Sequence, residues 1–317
     1  MLQTIESINN VVNNFIWGVP AMICIIGVGL YLSLRTGFVQ IRKFPYALKT
    51  TLGRIFKKKE ASDGSMTPFQ AVCTALAGTV GTGNIAGVAG AIAIGGPGAV
   101  FWMWVSALLG MCTKFTEVTL AVHFRERNRH GDYVGGPMYY IKNGLGKNWR
   151  FLAVLYSAFG VLTVFGTGNA TQVNTITTAI DTALINFNVI SESSTGRLNL
   201  ILGIVITLLV GMVLLGGIKR IGSVSEKLVP FMALLYVAGC VVILVMNYKF
   251  IIPSIVLIVK SAFSPQAGFG GAAGFSVSEA IRFGCARGLF SNESGLGSAP
   301  LVAAAAKTKN PVRQSLI

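Results

Sequence analysis

Two glycine-rich segments contain the residues of this sequence whose types and spacing could bind a small solute together with an ion. The first segment, residues 78–87, reads GTVGTGNIAG and holds four glycines in ten positions. In a helix interior each glycine costs about 1 kcal/mol relative to alanine. We therefore predict that a helix breaks there into two halves, at about residues 67–78 and 84–94.

A broken helix offers backbone groups of both polarities at one point. The amides at the start of the second half are unpaired and carry positive dipole charge, so they can hold a carboxylate. The carbonyl oxygens at the end of the first half can coordinate a hard cation such as Na⁺. The first glycine-rich segment therefore predicts a site for a carboxylate-bearing solute and Na⁺.

The second glycine-rich segment repeats this pattern near the end of the chain. Residues 284–295 read GCARGLFSNESG, and their last four, NESG, echo NIAG at 84–87. Glycine-interrupted passages at corresponding positions of two halves indicate a transporter's binding site. The alternative is that the Gly-x-x-x-Gly spacing in both segments packs helices together. Packing alone does not account for the polar residues 291–294 within an apolar passage.

The composition places these segments in lipid. The chain is 53% hydrophobic and 12% charged, with a mean hydropathy of +0.66, whereas soluble domains carry about 25% charged residues. Apolar runs of about 20 residues, the length that spans a bilayer, recur along the chain. The first ten residues lack the basic region of a signal peptide, so we interpret the first apolar run as a retained span.

The apolar runs predict seven membrane passages with alternating links. Basic residues concentrate in the links at 35–59, 125–150 and 219–227 and in the tail at 307–313. By the positive-inside rule the N-terminus is outside, the C-terminus is cytoplasmic, and the second and seventh passages run in opposite directions. The predicted passages are residues 15–34, 68–94, 100–123, 152–180, 198–215, 229–246 and 276–306.

The net charge of +15 lies in these links, which is typical of a membrane protein and does not indicate a nucleic-acid partner. The sequence has no Ser/His/Asp set, metal cluster or phosphate loop, so an enzyme is not predicted. A channel would need a ring-forming filter or repeated pore helix, and neither is present.

Three stretches resemble the alanine/glycine:cation symporter family. They are GTGNIAGVAGAIAIGGPGAVFWMWVSALLGMCTKFTE at 81–117, GDYVGGPMYYI at 131–141 and RGLFSNESGLGSAPLVAAAAKT at 287–308. The resemblance implies Na⁺-driven uptake of alanine or glycine across a bacterial or archaeal cytoplasmic membrane. Na⁺ would be the coupling ion, with no other cofactor and no protein partner.

The resemblance also implies an all-α polytopic membrane protein of the leucine-transporter type, with two inverted five-helix repeats. One transmembrane domain, 1–317, would contain an extra N-terminal helix at 15–34, a first repeat at 68–246 and the start of a second at 276–306. The chain turns polar after residue 306, so we expect a truncated symporter lacking four passages. The alternatives are a non-transporting fragment, a structural or sensory membrane subunit, or a proton-coupled transporter of small amino acids.

The resemblance assigns roles to individual residues. The amides near Thr82 and Gly83 would bind the substrate carboxylate, and Gln172 would face the substrate's ammonium or carboxylate group. The full substrate set is Thr79, Gly81, Thr82, Gly83, Asn84, Gln172, Phe283, Phe290, Ser291 and Asn292. The sodium set, mostly acting through backbone carbonyls, is Ala77, Thr79, Val80 and Asn84. Gln172 could instead form a hydrogen bond between helices, and the phenylalanines could be core residues.

Charged residues within the passages complete the candidates. Lys114 and Glu117 lie one helical turn apart, so we expect an internal or snorkelling ion pair rather than a proton relay. In the last passage, Glu279 and Arg282 could pair as a gate, while Glu293 is the charged residue best placed to interact with a bound ion.

Overall fold

The structure is a computed structural model, and it describes residues 18–55, 66–263, 277–306, 308 and 310–316 together with residues 4, 6, 7, 9, 11, 12 and 15. These ranges are almost entirely helical. Their strands form one antiparallel pair of two residues each, β1 (Glu126–Arg127) and β2 (Tyr133–Val134).

Three helices lie within residues 18–55 of the described chain. Helix α1 (Val19–Arg35) is apolar, and α2 (Val39–Arg42) follows a turn in which Gly37 and Phe38 both have positive φ. Helix α3 (Phe44–Ile55) belongs to the basic link. The predicted passage 15–34 therefore appears as a 17-residue helix that begins at Val19.

The predicted broken helix is confirmed at the first glycine-rich segment. Helix α4 (Pro68–Thr79) begins at a capping box formed by Thr67 and Gln70, which satisfies two otherwise unpaired amides. A 3₁₀ turn (Thr82–Asn84) follows, and α5 (Ala86–Gly95) then leaves at an angle of 62° to the first half. We call residues 80–85 the first break.

Long helices occupy the middle of the chain. Helix α6 is followed by the β1–β2 hairpin and the short helix α7, and α8 and α9 are joined by a π-helical turn (Gly166–Ala170). Short 3₁₀ turns lie at Lys147–Trp149 and Glu192–Ser194. The helices are α6 (Gly98–His123), α7 (Pro137–Gly144), α8 (Arg150–Phe165), α9 (Thr171–Asn186), α10 (Thr195–Leu214), α11 (Gly217–Met246) and α12 (Tyr248–Phe263).

The last passage is also discontinuous. Its break lies at the C-terminal end of the second glycine-rich segment, not at its start. Helix α13 (Val277–Asn292) runs uninterrupted through the first two glycines of that segment, and α14 (Ser298–Ala304) follows. Between them Glu293, Gly295 and Gly297 all have positive φ, which ends the helix. We call residues 293–297 the second break. A short helix, α15 (Pro311–Ser315), ends the described chain.

Fewer helices meet the requirements of a membrane span than the seven predicted passages. Within the described ranges, Gly98–His123, Lys147–Asn186, Thr195–Leu214 and Gly217–Met246 are long and apolar enough, and the bent pair α4–α5 can count as a fifth span. Helix α1 is too short, and α13 has 16 residues that include charged side chains. The prediction of an all-α polytopic membrane protein is confirmed, while the inverted repeat stays a prediction.

The two broken passages run in opposite directions, as predicted. Met66, just before α4, pairs with Ala306, just after α14. At the other end, a Cβ placed on Gly95 would lie 3.2 Å from both the Glu279 carbonyl oxygen and Phe283 Cβ, so the end of α5 meets the start of α13. The first passage therefore begins where the last one ends.

Close packing of α13 on α6 holds this arrangement together. A Cβ added to Gly284 would collide with the Ala99 carbonyl, and one added to Gly288 would collide with the Ser106 hydroxyl. These two glycines therefore serve helix packing, the alternative considered above, and do not break the helix. Gly87 in the first segment has no such neighbour within 4 Å among the described residues.

Candidate functional site

The first break is braced by one of its own side chains. The Gly81 amide donates to Asn84 Oδ1 at 3.0 Å, and the Asn84 amide donates back to the Gly81 carbonyl at 3.1 Å. Asn84, expected as a sodium and substrate ligand, thus also fixes the shape of the unwound segment. The amides of Thr82 and Gly83 lie at the start of the 3₁₀ turn, where no helical carbonyl is available to them.

The end of α4 presents carbonyl groups next to this turn. The Val80 amide donates to the Leu76 carbonyl at 2.7 Å, and the Thr79 hydroxyl donates to the Ala75 carbonyl at 2.9 Å. The carbonyls of Ala77 and Thr79 come after these two acceptors, among the last four of the helix, which have no partner within it. Of the predicted sodium set, these backbone oxygens have the appropriate chemistry.

Gln172 lies directly against the first break. A Cβ placed on Gly81 would be 3.3 Å from both Nε2 and Oε1 of Gln172. The π-helical turn Gly166–Ala170 ends two residues before Gln172, and such turns shift the register of the side chains that follow them. The structure thus brings together two residues that lie 91 positions apart in the sequence.

The last passage approaches the first break from another direction. A Cβ placed on Gly83 would lie 3.5 Å from Phe290 Cδ1 and 3.8 Å from Ser291 Cα. The ends of α4, α9 and α13 therefore converge on residues 81–83. Backbone amides, the Gln172 amide and one aromatic ring thus lie together here, and these are the kinds of group that bind a solute with a charged and an apolar part.

Three of the predicted substrate residues lie elsewhere or only at the edge. Phe283 packs against Gly95, at the far end of α5, about two helical turns from Phe290. Thr79 and Asn292 both line a cavity of about 550 Å³ that extends away from the break between α3, α4, α6 and α15. Phe283 is therefore not part of the cluster at the first break.

The second break is held by contacts that the sequence did not indicate. The Gly295 amide is a hydrogen-bond donor to the Glu117 carboxylate, and the Tyr156 hydroxyl donates to the Leu296 carbonyl at 3.1 Å. Glu293 accepts a hydrogen bond from the Ser298 hydroxyl. Helices α6 and α8 therefore fix the backbone of the second break through side chains distant in sequence.

Lys114 and Glu117, expected as an internal or snorkelling ion pair, form no direct hydrogen bond in the described part of the chain. Both residues lie on α6, yet among the described residues neither Lys114 Nζ nor Glu117 Oε2 has a hydrogen-bond partner. The Glu117 carboxylate also interacts with the Gly295 amide. The Lys114 and Glu117 side chains remain close enough to attract each other electrostatically.

Arg125, in the link after α6, donates hydrogen bonds to the backbone at the end of α14 and just after it. The Arg125 guanidinium donates to the carbonyls of Ala304, Ala306 and Thr308 at 3.2, 2.9 and 2.5 Å, and it lies 3.7 Å over the Tyr133 ring. The link after α6 and the end of α14 therefore lie side by side, as the alternation of basic links predicted.

The same link carries a surface ion pair outside the spans. Lys142 donates to Glu126 at 2.9 Å, with Asn143 as a second donor at 2.8 Å. These hydrogen bonds, with that from Lys142 the stronger influence, hold the pKa of the Glu126 carboxyl below its usual value.

The whole sequence matches a known family. The model of the sodium:alanine symporter family matches residues 2–317. The match runs through the last residue of the sequence. Members of this family are transporters, not enzymes.

Individual relatives are similar over nearly the full chain. An uncharacterised transporter of Haemophilus influenzae is 53% identical over 99% of this chain and 66% of its own length. The sodium/alanine symporter AgcS of Methanococcus maripaludis is 46% identical over 98% of this chain and 65% of its own. The probable sodium/glutamine symporter GlnT of Bacillus subtilis is 37% identical over 100% of this chain and 62% of its own length. The chain thus spans just under two thirds of the length of these relatives, and it belongs to the sodium:alanine symporter family.

Proposed function

We propose that the protein is a secondary symporter that couples Na⁺ entry to uptake of a small amino acid, alanine or glycine. The observation that supports this most is the convergence of Gln172 and Phe290 on the unwound residues 81–83. An amino acid needs partners for a carboxylate, an ammonium group and a side chain. This one position offers a group suited to each.

Each part of the site has a distinct role in this proposal. The amides of Thr82 and Gly83 bind the substrate carboxylate, and the Gln172 amide orients one charged end of the zwitterion. The carbonyls of Ala77, Thr79 and Val80, with Asn84, bind Na⁺ beside it. Bound Na⁺ and carboxylate attract each other at short range, so each raises the other's affinity.

The Phe290 ring sets the size of the substrate's side chain. Its nearest atom lies 3.5 Å from where a Cβ of Gly83 would be, and a ring packed this closely on the unwound backbone disfavours a long substrate side chain beside it. The name of GlnT refers to glutamine, and that of AgcS to alanine. The position of the ring favours the smaller substrate for this chain.

We place the protein in the cytoplasmic membrane of its cell, with the N-terminus outside. The concentration of basic residues in alternate links supports this orientation. The opposite directions of the two broken passages support the leucine-transporter-type inverted repeat.

Uptake by reconstituted protein tests the proposal. Proteoliposomes are loaded with K⁺, and radiolabelled alanine is added outside with Na⁺ or with K⁺ at equal ionic strength. The proposal predicts concentrative uptake with Na⁺ only, inhibited by unlabelled alanine and glycine and less by glutamine. Uptake driven equally well by a pH gradient without Na⁺ would replace Na⁺ with H⁺ as coupling ion. Inhibition by glutamine alone would overturn the assigned substrate.

A further inference from the structure

The second break contains a buried charge cluster that the proposed function does not use. Glu117 is 8% exposed, and its Oε2 atom has no hydrogen-bond partner among the described residues. The Lys114 Nζ atom is likewise buried and without such a partner in the same ranges. The Lys114 ammonium group interacts electrostatically with the carboxylates of both Glu117 and Glu293. The cluster therefore joins one cation and two carboxylates.

These three groups do not balance in charge. Two carboxylates and one ammonium carry a net charge of −1 in a region of low dielectric constant, where an uncompensated charge costs several kcal/mol. Among the described residues, the hydroxyls of Tyr140 on α7 and Tyr156 on α8 also face Glu117, and they carry no charge. One additional monovalent cation would neutralise the cluster.

The free Glu117 oxygen is positioned for such a cation. The Glu117 carboxylate faces the Gly295 amide, and Glu293 accepts a hydrogen bond from the Ser298 hydroxyl. Glu293 and Gly295 also adopt positive φ, a backbone shape that a non-glycine residue keeps only when its surroundings impose it. The second break thus lies beside one buried acceptor, Glu117 Oε2, that has no hydrogen-bond partner among the described residues.

We propose that Glu117 and Glu293, with Lys114 beside them, form a site for one small monovalent cation at the second break. The cation is Na⁺ or a proton, since either supplies the single positive charge that the cluster lacks. This site is separate from the sodium site proposed at the first break. It goes beyond the proposed function, because its occupation requires no amino acid.

Thermal unfolding of the purified chain in detergent, without amino acid, tests the site. Tm is measured against Na⁺ at high pH, and against pH with K⁺ as the only salt cation. A cation that binds only the folded state raises Tm with concentration. If the cation is Na⁺, Tm rises and saturates with Na⁺. If it is a proton, Tm falls as pH rises, because the folded cluster holds the proton that the unfolded chain releases.

Two substitutions separate this site from the rest of the molecule. Glu117→Gln keeps an acceptor for the Gly295 amide but removes one charge, so the remaining pair is neutral. We expect the half-saturating Na⁺ concentration to rise at least tenfold. If the cation is a proton, the half-saturating proton concentration should rise by the same factor. Glu126→Gln makes the same chemical change in the exposed link and should respond as the unsubstituted chain does. If Glu117→Gln does not fold, Glu293→Gln tests the same charge balance.

Disrupting the sodium site proposed at the first break shows which of the two sites causes the change in Tm. In Asn84→Ala, the cation response of the second break should persist. A response that Asn84→Ala abolishes and Glu117→Gln leaves unchanged would overturn the proposal. An unsubstituted chain whose Tm depends on neither Na⁺ nor pH would overturn it as well. Neither result bears on alanine uptake, so this proposal can fail while the proposed function stands.

Discussion

Replacing Gly81 with alanine should weaken substrate binding through its effect on Gln172. The added Cβ would lie 3.3 Å from both terminal atoms of the Gln172 amide, a separation that requires one of the two to move by a few tenths of an ångström. The Gly81 backbone is pinned by its hydrogen bond to Asn84 Oδ1. We therefore expect the Gln172 side chain to move.

The magnitude follows from what Gln172 does for the substrate. Displacing a side chain about 30° from its rotamer costs about 0.5–1.5 kcal/mol, and losing a hydrogen bond to a charged group costs about 1.5–3 kcal/mol. Partial displacement then corresponds to a rise in Kd of about tenfold. Equilibrium binding of radiolabelled alanine at saturating Na⁺ measures it directly.

A matched substitution provides the control. Gly87→Ala makes the same change six residues further on, where no described atom lies within 4 Å of the new Cβ. It should leave Kd within about twofold, and it gains helix propensity of about 1 kcal/mol. Equal Kd values for Gly81→Ala and the unsubstituted chain would refute the role of Gln172. So would an equal loss in both variants.

Three further changes test the parts that position the site. Gly288→Ala should lower Tm by an amount corresponding to about 1–3 kcal/mol, because its Cβ collides with α6, whereas Gly90→Ala, with open space around it, should not. Arg125→Gln removes charge-assisted donors to three carbonyls, so trypsin should cleave the end of the chain faster. Below the lowered pKa of Glu126 the carboxyl is protonated and its support is lost. The amide-exchange protection factors in the β1–β2 hairpin, corrected for the intrinsic effect of pH, should fall on acidification, and less so in Lys142→Met.

The first break was predictable because its cause is local. Four glycines in residues 78–87 oppose a helix whatever surrounds them, and the observed halves, Pro68–Thr79 and Ala86–Gly95, lie close to the predicted ones. Gln172 was identified through the family resemblance. Its contact with Gly81 depends on the π-helical turn before it, which hydrophobic pattern does not encode.

The second break shows where local reasoning fails. Gly284 and Gly288 have the spacing of both a break and a packing face, and only the position of α6 decides between them. Phe283 was assigned with Phe290, although seven positions along a helix separate them by about 10 Å. The bond from Gly295 to Glu117 joins residues 178 positions apart, and a contact of this range depends on the whole fold.

The linkage between alanine and Na⁺ tests the central claim most directly. Alanine Kd is measured on the purified chain over a range of Na⁺ concentrations, with K⁺ holding the ionic strength constant. If one site at the first break binds both, Kd falls as Na⁺ rises, and alanine increases ²²Na⁺ affinity by the same factor. Alanine binding that does not change with Na⁺ would contradict a shared site at the first break.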